Sequence, residues 1–147
     1  MKAKILIVGV IISGIVVIAC KKDAYTTKPQ LKYKSENSRF VTTASTLTFT
    51  LEVTDKEGDI VEDTIWASKH SLHCSAPDDD PYPYLIPSTL PQTKDLKADI
   101  EFTFSTAPKC ALGLGNNDDD SCYFKFWIID KARNVSDTVS SPLIIIR

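Results

Sequence analysis

Carboxylates dominate the residues that could do chemistry. Asp55, Glu57 and Asp59 stand at alternate positions of "DKEGD". That spacing gathers hard oxygens, and calcium takes about six to eight of them at flexible geometry. The same five residues also read as a tight turn, with aspartates accepting bonds from nearby backbone amides and Gly58 supplying a left-handed residue. Two aspartate runs, Asp78-Asp79-Asp80 and Asp118-Asp119-Asp120, sit in polar stretches. They read as solvated loop charge, or as attraction for cations or a basic partner. His70, His73 and Cys74 in "HSLHC" carry zinc-ligand atoms. A strand, however, turns positions three apart to opposite faces, and the chain has only these two histidines. A Ser-His-acid triad needs a histidine oriented by an acid and facing a serine. No nucleophile turn surrounds either histidine, so no catalytic residue is assigned. A glycosidase carboxylate pair is compatible with the many acids. A small domain leaves little room for a deep cleft, which makes a small carbohydrate-active hydrolase the alternative reading.

These side chains must be positioned by strands, because period-two alternation fills the chain after residue 30. Leu47, Phe49, Leu51 and Val53 share one face, with Thr46, Thr48, Thr50 and Glu52 opposite, the pattern of a half-buried strand. Leu96, Ala98, Ile100, Phe102 and Phe104 repeat it. Phe124, Phe126 and Ile128 form a third inner face, and Tyr123, Trp127 and Ile129 make the other side apolar too. That two-sided pattern predicts a central strand. Residues 64–69 read as a strand around Trp66, and 135–139 and 143–146 as short β runs, with weaker candidates at 31–33 and 40–43. Residues 75–92 carry five prolines, too many for a central strand. A long crossing loop is expected there, with an edge strand at 82–86. No segment after residue 20 has a helical stripe. About seven short strands predict a single all-β sandwich over residues 31–147.

The first 19 residues are different. Lys2 and Lys4 precede an uncharged apolar run from Ile5 to Ala19, the pattern of an export signal. At 15 residues the run is shorter than the roughly 20 that span a bilayer as a helix. Val17-Ile18-Ala19-Cys20 resembles the bacterial lipobox. The resemblance implies cleavage before Cys20, lipid on that cysteine, and a polar tether over residues 20–30. Lys21-Lys22-Asp23 is similar to the segment that follows the cysteine in surface-exported Bacteroidetes lipoproteins. It implies a cell-envelope, outer-membrane lipoprotein, facing the periplasm or the outside. Loss of Lys2 and Lys4 leaves 15 basic residues against 19 acidic, a net charge of −4, which argues against nucleic acid as a partner. With Cys20 lipidated, Cys74, Cys110 and Cys122 remain, enough for one disulfide and one further thiol. The short loop between Cys110 and Cys122 favours that pair, with Cys74 as the alternative partner.

"LTFTLEVTDKEGDIVEDTIW" and "FKFWIIDKARNVSDTVSSPLIII" resemble two hairpins of bacterial Ig-like and cadherin-like domains. The resemblance implies an Ig-like antiparallel sandwich in which both acidic turns share one end. Asp130 and Asn134 would then join Asp55, Glu57 and Asp59 as calcium ligands. Arg133 stands where those domains usually have glycine. Asp63-Thr64-Ile65 and Asp137-Thr138-Val139 resemble the Bacteroidetes O-glycosylation sequon, with Thr64 and Thr138 as acceptors. The expectation is a membrane-anchored, non-enzymatic lipoprotein that presents one Ig-like domain to another envelope protein or to glycan. It requires no cofactor, and calcium is the candidate ligand.

Overall fold

The computed structural model describes residues 26–72, 80–105 and 119–147. Cys20, His73, Cys74, Cys110, Asp78, Asp79 and Asp118 lie outside them, and with them the lipidation site and both candidate partners of Cys122.

The described residues form nine strands and no helix: β1 (Gln30–Glu36), β2 (Phe40–Val41), β3 (Leu47–Asp55), β4 (Thr64–Ser71), β5 (Tyr82–Leu85), β6 (Leu96–Phe104), β7 (Asp120–Ile129), β8 (Val139–Ser140) and β9 (Ile144–Ile146). They build two sheets, one ordered β1-β3-β6 and the other β2-β9-β7-β4-β5, with β8 beside β7. This is an all-β sandwich with the Ig-like division of strands. The pairing is antiparallel except between β2 and β9. β7 is flanked by β4 and β9, which explains why both its faces are apolar. The five prolines predicted a crossing loop, and β5 is a four-residue strand at the sheet edge. The expected run at 135–139 is shorter than its pattern: β8 begins at Val139, and Val135 makes only an isolated bridge to Ile129.

Alternation decides what fills the space between the sheets. The inner residues of β3 interleave with those of β7, and Phe49 sits at the centre. Its ring centroid lies 4.9 Å from that of Phe124, 5.2 Å from Phe126 and 6.5 Å from Phe104. Tilted and edge-on arrangements prevail, as the ring quadrupoles prefer. β1 carries a bulge between Tyr33 and Ser35. Just beyond it the Tyr33 hydroxyl and the Arg39 guanidinium both donate to Glu36. Burial pushes the Glu36 carboxyl up, but these two bonds and the Arg39 charge outweigh it and hold the group below its usual 4.5. A lowered carboxylate pKa contributes stability that is present above the unfolded value and lost as pH falls through the folded one. Glu36→Gln is therefore expected to flatten the acid limb of the stability profile below pH 4.5, read as denaturation midpoints against pH.

Candidate functional site

The acidic end is built by two strand ends. β3 finishes on Asp55, whose inward position leaves it wholly buried. The chain then turns sharply, and Asp55 Oδ2 accepts hydrogen bonds from the Gly58 amide at 2.7 Å and the Asp59 amide at 3.1 Å. Gly58 takes φ +70°, and a Cβ there would lie 2.1 Å from the Thr93 carbonyl oxygen. Both facts demand glycine. Gly58→Ala is expected to cost about 2 kcal/mol, from left-handed strain and a displaced backbone, read as a lowered midpoint in chemical denaturation. β7 finishes just before Asp130, also buried. Asp130 accepts from the Asn134 backbone amide through Oδ1 and from the Asn134 side-chain amide through Oδ2, each at 2.7 Å. Arg133, in the position where glycine is usual, takes φ +66°. The turn thus keeps its left-handed geometry at a cost in strain.

One carboxylate oxygen from each of Asp55, Asp59 and Asp130 lies within 4.8 Å of the others. Asp55 Oδ1 and Asp59 Oδ1 are buried and have no hydrogen-bond partner among the described residues. Burial, with the Asp59 and Glu57 charges adding to it, raises the Asp55 carboxyl above its usual value, against the two backbone bonds that favour the anion. A buried oxygen without a donor is costly unless a proton or a cation serves it. Three converging carboxylates with two such oxygens are the donor chemistry of a hard divalent cation, with remaining positions open to water or main-chain oxygens. Of the five residues expected from sequence, three converge. Asn134 turns its amide nitrogen to Asp130 and so fixes that carboxylate. Glu57 is exposed and outside the cluster.

The other candidates are placed separately. Cys122 is buried in the inner stripe of β7. His70 lies on the outer face of β4, its ring 4.8 Å from that of Tyr123. Thr138 is exposed, whereas Thr64 is half-buried between β5 and β7. The second aspartate run is not uniformly solvated. Asp119 is 3.4 Å from Arg147 at the surface, but Asp120 begins β7, has no exposed area, and pairs with the equally buried Lys69.

Sequence reasoning missed two features. One is the Lys69–Asp120 pair. The other is an aromatic strip on the outer face of the larger sheet. Trp66 and Trp127 face each other across β4 and β7 with centroids 6.3 Å apart and ring planes within 5° of parallel. Tyr123 extends the strip, with Lys125 Nζ 5.4 Å from its ring centroid. Strand register carries the signal: Trp66 and His70 are half-buried and opposite in phase to the buried Ile65, Ala67 and Lys69. No protein-family model and no curated protein matches the sequence.

Proposed function

We propose that this chain is a membrane-anchored, non-enzymatic envelope lipoprotein whose sandwich offers the outer face of the larger sheet to a glycan or another envelope protein. The parallel Trp66–Trp127 pair carries this reading. Two half-buried indoles in near-parallel planes form a rigid apolar platform, suited to the apolar face of a sugar ring or to an interface anchor. The chain joins the sandwich at its acidic end: Lys56 N donates to Thr26 O at 3.2 Å, and Lys28 pairs with Asp137 at 2.6 Å. A tether from Cys20 would leave there, which orients the sheet face sideways and the Asp120 end away from the membrane. Affinity capture from cross-linked envelopes, repeated with Trp66→Ala and Trp127→Ala, tests the proposal. A partner lost from both variants supports it. Turnover on a glycan panel that one carboxylate substitution abolishes overturns it in favour of a hydrolase.

The orphaned oxygens of Asp55 and Asp59 favour a second role, calcium binding at the acidic end. A cation that binds only the folded state adds about 2.7 kcal/mol at a hundredfold excess over its dissociation constant. Millimolar calcium is therefore expected to raise the melting temperature, and Asp55→Asn to remove the rise. An unchanged melting temperature rejects the site.

A further inference from the structure

We propose that Lys69 and Asp120 condense into an intramolecular isopeptide bond that joins β4 to β7. Lys69 continues the inward stripe of β4 after Ile65 and Ala67, and Asp120 opens the inward stripe of β7 ahead of Cys122 and Phe124. The two side chains are 1% and 0% exposed, and Lys69 Nζ lies 2.6 Å from Asp120 Oδ2. The Ser71 hydroxyl donates to the other oxygen, Asp120 Oδ1.

This arrangement distinguishes the two carboxyl oxygens. In a low-dielectric core, separated charge is penalised, which favours proton transfer from the ammonium to Oδ2. The products are a neutral amine and a neutral carboxylic acid, the forms that react. The Nζ lone pair then attacks Cγ. Negative charge develops on Oδ1, where the Ser71 hydroxyl already points. As the tetrahedral centre collapses, the Cγ–Oδ2 bond breaks and a second nitrogen proton goes to Oδ2, which departs as water. Nζ keeps one hydrogen as the amide N–H, and Oδ1 remains as the amide carbonyl. Atoms and charges balance with no oxidant or co-reactant. Two strands holding both groups in contact supply the effective concentration that drives intramolecular acyl transfer, and the amide replaces two buried charges with one neutral group.

The test is a peptide map of the full chain, purified from membranes in detergent, reduced, and digested for tandem mass spectrometry. The expected product is a branched peptide joining the Lys69 and Asp120 segments, lighter than the two linear peptides together by one water. Lys69→Arg should yield linear peptides alone. Recovery of both segments only as linear peptides from the wild-type chain overturns the proposal, and that result stands even where the variant fails to fold.

Discussion

Phe49→Ala is expected to destabilise the domain by about 3–5 kcal/mol, the loss that accompanies deletion of a buried aromatic ring and the cavity it leaves. Phe49 has no exposed area and meets rings from three other strands: Tyr33 of β1, Phe104 of β6, and Phe124 and Phe126 of β7. Its removal weakens the contact between the two sheets, which no backbone hydrogen bond can replace. Domains are stable by about 5–15 kcal/mol in total, so the change consumes a large share. Urea unfolding followed by tryptophan fluorescence measures it. Phe40→Ala provides the contrast. That ring is 67% exposed, and its loss should stay within about 0.5 kcal/mol. Equal effects of the two substitutions would contradict a core centred on Phe49.

Asp120→Ala is expected to have a comparable effect by a different route. It strips a wholly buried ammonium of the carboxylate 2.6 Å away. Breaking a buried pair from one side typically costs about 3–5 kcal/mol, because a charge stays in the core while the carboxylate facing it goes. Replacing both groups with apolar ones, as in Lys69→Met with Asp120→Leu, removes the buried ammonium as well. The double variant should therefore unfold at a higher denaturant concentration than Asp120→Ala. A double variant no more stable than Asp120→Ala would show that charge burial is not what the aspartate relieves.

Both predictions depend on contacts that sequence pattern exposed to different degrees. The alternation of β3 made Phe49 a core residue from sequence alone, since a strand sends every second side chain to the same face. Its four ring neighbours required the register of the sheets. Lys69 and Asp120 pointed away from their true environment. A lysine near a strand end and the last of three aspartates both suggest solvent, and only continuation of the inward phase through Ile65 and Ala67 reverses that.

The sequence by itself determined the all-β class, the central position of β7, the edge position of β5, and the need for glycine at position 58. Each follows from local rules: side-chain alternation, proline's missing donor, and the sterics of a left-handed turn. It also placed the two acidic turns at one end, once the strands were read as an Ig-like sandwich. Only the tertiary structure decided that Asp55, Asp59 and Asp130 converge while Glu57 stays in solvent, that Trp66 lies parallel to Trp127, and that Lys69 meets Asp120 in the core. Those outcomes depend on register between strands distant in the chain. A shift of one residue would turn each of these side chains to the opposite face, and the alternation within one strand does not say which residue of another strand it will meet.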